Sequence, residues 1–215
     1  MLLLKAGTRW QSVLLGASMR SAPTLTDERD TVVQIKGTAV QDTLVSMREA
    51  VGDERLASVL ATLDPAHRAA LQEPILAMRW YPLDAYAALV DTFIARERAG
   101  DPSLFRKRAE EVVESHLRGV YRLFVRVGSP EWLIKKIAVA HQTYFQGTAV
   151  EIAAMGPRQV AIRYSGFATR HRVMEHAIVG FYRKALELAG AREIEAGFTA
   201  PIADGRVAEI TLRWA

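Results

Sequence analysis

The sequence predicts an α+β domain: an N-terminal helical bundle followed by a small antiparallel sheet in ββ-α-ββ order. Three observations carry this. Apolar residues recur at helical spacing in nearly every segment between Val40 and Phe145. The period then changes to two, over Val150–Tyr164 and again over Ile194–Trp214. Between those two alternating stretches lies one amphipathic segment, from about Arg172 to Leu188, stopped by Gly190. Half of the 215 residues are hydrophobic, enough for a substantial core, and 24% are charged.

Residues 1–30 differ in character from the rest of the chain. Two short apolar runs, Met1–Leu4 and Val13–Leu15, are interrupted by Lys5, Arg9 and Gln11, so the unbroken core of an export signal is missing. The segment reads either as a flexible tail or as an over-long start. A single α+β domain is expected over 31–215, helical over 31–145 and sheet over 146–215. It opens with a short strand at Thr31–Lys36, a turn at Gly37 and an N-cap at Thr38. Val40, Leu44, Val45, Met47 and Val51 make a helical face that Gly52 stops. Asp53 is expected to cap the next helix, with Leu56, Val59 and Leu63 inward. Asp64-Pro65 starts a third, shorter one. Trp80-Tyr81-Pro82-Leu83 reads as a loop into a longer helix with Tyr86, Leu89, Val90 and Phe93 inward and Gly100 at its end.

Asp101–Phe145 then reads as two long amphipathic helices joined at Gly128-Ser129-Pro130, the pair on which the chain is expected to be organised. Asp101 with Pro102, and Ser129 with Pro130, are cap-and-first-turn signals. Arg118, Arg122 and Arg126 fall one turn apart on the first helix. Such a stripe is either a solvated face or a docking surface for an acidic partner. On the second helix Ile134, Ile137, Ala138, His141, Tyr144 and Phe145 share a face, which makes His141 the titratable group on an apolar stripe. It is read as a core histidine bonded to a hydroxyl or carbonyl, or as a metal ligand or pocket donor. In the hairpins, Val150, Ile152, Val160, Ile162 and Tyr164 alternate with polar residues. So do Ile194, Ala196, Phe198, Ala208, Ile210, Leu212 and Trp214, with the second turn at Asp204-Gly205.

Composition excludes several functions. Without cysteine there are no disulfides, thiolate nucleophiles or cysteine-ligated metals, and the chain suits the cytoplasm. The net charge of +4 is spread, with no basic block interleaved with aromatics, so no nucleic acid partner is expected. No apolar run is long enough to span a membrane. His171 and His176 are five apart, no His-Glu-x-x-His occurs, and Ser165-Gly166 lacks the glycine spacing of a nucleophile elbow. His67 and His116 sit on amphipathic segments as surface or boundary residues. The chain is therefore expected not to be an enzyme.

Four segments carry a resemblance: Ile35-Lys36-Gly37-Thr38-Ala39, Trp80-Tyr81-Pro82-Leu83, Leu117-Arg118-Gly119-Val120-Tyr121-Arg122 and Ser129-Pro130-Glu131-Trp132-Leu133. With them, residues from about Ile35 to Ala215 resemble a myxobacterial family of uncharacterised proteins of roughly this length, which implies no activity. More distantly, the order of helices followed by ββ-α-ββ is similar to heme–nitric-oxide-binding domains and to 4-vinyl-reductase-like domains related to vesicle-tethering subunits. That likeness implies a ligand bound between helices and sheet, or an interaction module. In the heme-binding domains a histidine precedes the sheet on a helix, and His141 falls at the matching place. Their Tyr-x-Ser-x-Arg motif, which holds the heme propionates, is not matched by Arg163-Tyr164-Ser165-Gly166-Phe167; Arg163 and Arg170 lie off pattern.

These readings together predict a cytoplasmic, non-enzymatic sensor-like or adaptor domain that binds a small apolar ligand or a protein and needs no cofactor; a homodimer is also compatible. His141, Tyr144 and Tyr164 are the pocket candidates, and Arg118, Arg122 and Arg126 the docking candidates. The alternative is a heme-based gas sensor with His141 as axial ligand.

Overall fold

The computed structural model describes residues 32–72, 74–98, 100–101, 103–118, 129–167, 172–202 and 207–215, with the side chains of 115–118 outside the described set. Segment 1–30, the turn Asp204-Gly205, and Arg122 and Arg126 lie outside the described residues, as does the side chain of Arg118.

Helices lead and the main sheet closes the chain, as the periodicity predicts. The order is β1 (Gln34–Lys36), α1 (Gly37–Val51), α2 (Asp53–Ala61), α3 (Pro65–Ala70), β2 (Trp80–Pro82) and α4 (Leu83–Glu97). Then come α5 (Ser103–Arg118), α6 (Pro130–Tyr144), β3 (Phe145–Gln146), β4 (Ala149–Gly156), β5 (Gln159–Ser165), α7 (Arg172–Leu188), β6 (Glu195–Ala200) and β7 (Ala208–Arg213). Several caps act as expected. Asp64 accepts from the Ala66 amide at 2.8 Å, Asp101 from the Ser103 amide at 2.9 Å, and Ser129 from the Trp132 amide at 3.3 Å. Two do not: α1 begins at Gly37, before Thr38, and Gly52, not Asp53, occupies the N-cap position of α2.

The main sheet is antiparallel throughout, in the order β4-β5-β7-β6. Val160, Ile162 and Tyr164 on β5 and Ala208, Ile210 and Leu212 on β7 are buried. The opposite face is polar: Arg163 pairs with Glu209 at 2.9 Å and with Glu151 at 3.8 Å. β5 and β7 thus follow their alternation, one side into the core and one to water, whereas on β4 the alternation breaks at a register shift between Ile152 and Ala154.

The structure adds a second sheet. Three short strands pair in the order β2-β1-β3, with Ile35 opposite both Tyr81 and Phe145. The segment Trp80–Pro82, expected as loop, is strand because β1 offers it an unpaired edge. The strand expected at the entrance of the domain is β1, whereas β2 and β3, of three and two residues, are too short to show a period and only tertiary pairing reveals them. This sheet ties the entrance of the domain to the end of α6.

The expected central pair also changes. The main partner of α5 is α7, along most of its length, rather than α6. The three helices meet where Val113, Leu133 and Ala185 form a small buried cluster. Sandwiched between α5 and the sheet, α7 is apolar on two sides: Val173, Met174, Gly180, Tyr182, Ala185 and Leu186 are all buried.

Candidate functional site

The candidate site is the junction of α6, the β3–β4 turn and the inner face of β5. Three of its features follow from local sequence. His141 stands in the last turn of α6 on the apolar stripe, Tyr164 is an inward position of β5, and Tyr182 lies one turn beyond Ile178 on α7.

His141 is partly buried and closely enclosed. Its Nε2 lies 2.8 Å from the Thr148 hydroxyl. Its ring stacks on Phe145, with centroids 4.6 Å apart and planes at 18°, and meets the Tyr164 ring edge-on, with centroids 5.6 Å apart. Phe145 is fixed in turn by its pairing with Ile35 across β3 and β1. Burial pushes the His141 pKa down to about 4, so the imidazole is neutral at physiological pH. The position of Thr148 depends on Gly166, just after β5. Gly166 adopts φ +89°, and a Cβ there would overlap the carbonyl oxygen of Gly147. Only glycine lets the Gly147-Thr148 turn lie this close to the strand end.

Deeper in, the Tyr164 hydroxyl donates to the Tyr182 hydroxyl at 3.1 Å. Both rings are almost wholly buried, with Phe167 and Phe198 each 6.4 Å from the Tyr164 ring. Burial raises the Tyr182 pKa to about 12 and that of Tyr164 well above its usual value, so both phenols stay protonated. The junction therefore pairs neutral polar groups, His141 with Thr148 and Tyr164 with Tyr182, among aromatic rings.

The structure thus brings His141 and Tyr164 together. Tyr144, the third pocket candidate, is partly buried at the end of α6, where the helix gives way to β3. Sequence reasoning missed Thr148, Phe145 as a stacking partner, and Tyr182. The series Met174, Ile178, Tyr182 at four-residue steps was the signal for the last. His176 is apart from the junction, partly buried, with its pKa lowered by desolvation and then by Arg106. Among the described residues no three His, Asp or Glu cluster as metal ligands would. None of their helices is long and apolar enough to cross a membrane. A shallow groove of about 420 Å³ lies elsewhere, bounded by Ser103, Leu104, Arg106, Lys107, Glu110 and Arg183.

No family model matches the chain, so the myxobacterial resemblance rests on its sequence segments alone; no curated protein matches either. Solved structures do match. An unliganded Fe(II) form of a mutant H-NOX protein from K. algicida superimposes with a TM-score of 0.62 at 13% identity, over 84% of this chain and 97% of that one. The fold is that of the H-NOX domains. A T. tengcongensis H-NOX point mutant gives a TM-score of 0.55 at 12% identity, covering 84% of this chain and 97% of that one. An oxygen-binding H-NOX domain related to soluble guanylate cyclases, in its oxygen complex, gives 0.55 at 10% identity, over 84% and 95%. The likeness to heme–nitric-oxide-binding domains drawn from element order is therefore a likeness of fold, across most of both chains.

Proposed function

We propose that this chain is a non-enzymatic sensor or adaptor module on the H-NOX fold, whose junction is filled by its own side chains. The carrying observation is the closed pair of contacts His141–Thr148 and Tyr164–Tyr182. Such a core transmits a change in packing rather than performing chemistry on a substrate. The lack of cysteine supports a cytoplasmic setting.

The second reading is a heme-based gas sensor with His141 as axial ligand. The comparisons favour it over the first, since the H-NOX neighbours include an Fe(II) form and an oxygen complex. The neutral imidazole also suits a metal ligand. The residues around it do not fit the group. Nε2 faces the Thr148 hydroxyl, one ring face is covered by Phe145, and the Tyr164 ring closes another side. The Tyr164 hydroxyl, adjacent to Ser165 where a propionate clamp is sought, is turned to Tyr182. Arg163 is on the other face of the sheet with Glu209 and Glu151. The side chains support the first reading.

An absorption spectrum of the protein, expressed with added heme and then reconstituted with hemin, tests the choice. The expected result is a colourless protein without a Soret band. A stoichiometric Soret band that disappears in His141→Ala overturns the first reading in favour of the second.

A further inference from the structure

The face of α6 turned away from the junction carries both apolar and basic side chains. At 3.6 residues per turn, Trp132, Lys135, Lys136 and Val139 fall on one stripe, and His141 falls on the opposite side of the helix. Trp132 is 37% exposed and Val139 51%, although the helix buries Leu133, Ile134 and Ala140. Lys136 lies 5.6 Å from the centre of the Trp132 ring. Among the described residues no carboxylate lies within ion-pairing reach of Lys135 or Lys136; this includes Glu131, one turn before Lys135. An exposed tryptophan and valine two turns apart, flanked by two lysines that meet no carboxylate among the described residues, is a combination that solvation alone does not call for. Tryptophan is the residue type most enriched at binding hot spots, and water-exposed lysines supply steering.

We propose that this stripe docks an acidic amphipathic segment of a partner protein, with Trp132 and Val139 taking its apolar side and Lys135 and Lys136 its carboxylates. The proposal rests on the sensor-or-adaptor reading and supplies its partner class. Charge decides the occupant. A second copy packed face to face would set lysines against lysines, in a chain already at +4. A lipid surface would find two apolar side chains, far fewer than the continuous apolar face of an interfacial helix.

The test uses the full chain and a fluorescent helical peptide rich in glutamate, with leucines two turns apart. Binding is read by polarisation. The expected result is saturable binding in low salt, weakened about tenfold or more by Trp132→Ala and by the double change Lys135→Gln/Lys136→Gln. Added salt should weaken it as the lysine changes do. Lys107→Gln on α5 should leave it unchanged. Trp132 and Lys135 are exposed and Lys136 half-buried, and unchanged melting curves verify that the variants fold. No binding, or binding insensitive to these residues, overturns the proposal. Equal binding of polyglutamate overturns the apolar half of it, and preferential binding to phosphatidylserine vesicles through the same residues replaces the protein partner with a membrane. None of these outcomes changes the heme spectrum, so failure here is distinguishable from failure of the parent reading.

Discussion

Replacing Gly180 by alanine gives two opposed effects whose balance the structure decides. Gly180 is buried in the interior of α7, against α5. In an isolated helix, glycine to alanine stabilises by about 0.5–1 kcal/mol, because the unfolded chain loses freedom. Here the new Cβ would overlap the carbonyl oxygen of Arg106, and would lie 2.9 Å from the Arg106 Cγ and 3.1 Å from its carbonyl carbon. The side-chain carbon can move; the carbonyl belongs to the backbone of α5 and cannot turn aside without moving the helix. Overpacking of this kind costs about 1–3 kcal/mol. The expected net effect is a loss of about 1–2 kcal/mol, or several degrees in melting temperature for a domain of this size. Urea titration of wild type, Gly180→Ala and Gly197→Ala measures it. Gly197, on β6, has open space within 4 Å of where a Cβ would stand and serves as the control. A Gly180→Ala protein as stable as wild type, or more so, refutes the close α5–α7 approach.

The junction gives two further expected outcomes. Tyr182→Phe should cost about 1–3 kcal/mol by leaving the buried Tyr164 hydroxyl without an acceptor, whereas Tyr164→Phe/Tyr182→Phe should be closer to wild type than the sum of the single changes; a double-mutant cycle by urea denaturation that shows simple additivity would contradict the contact. The His141 pKa falls from 6.5 to about 4 on folding, so the unfolded chain binds the proton first. Its contribution is full above the unfolded value and is lost as pH falls from about 6.5 towards 4, by at most about 3 kcal/mol. His141→Gln should flatten that part of the stability–pH curve, and an unchanged slope would show that the histidine is not desolvated.

Much of this was determined by sequence alone. The boundaries Arg172–Leu188 of α7 agree with the structure because its apolar period is long and Gly190 ends it. The strands β5 and β7 were legible because each runs long enough to alternate, and each has one face in water. His141 and Tyr164 could be marked as inward-facing from period alone. What period cannot carry is the partner of each face. The sequence showed α5 and α6 as neighbours along the chain, yet α5 lies along α7, since the absence of a side chain at Gly180 permits an approach that no local pattern encodes. Of the sheet β2-β1-β3 only β1 was expected; β2 and β3 were hidden because they are stabilised by their pairing with β1 and not by their own composition. The same holds at the junction. His141 could be read as ligand or as core, and the choice falls to a hydroxyl seven residues on, brought within 2.8 Å by the turn that Gly166 admits. Local periodicity sets which way a side chain faces; only the packing of distant segments sets what it meets.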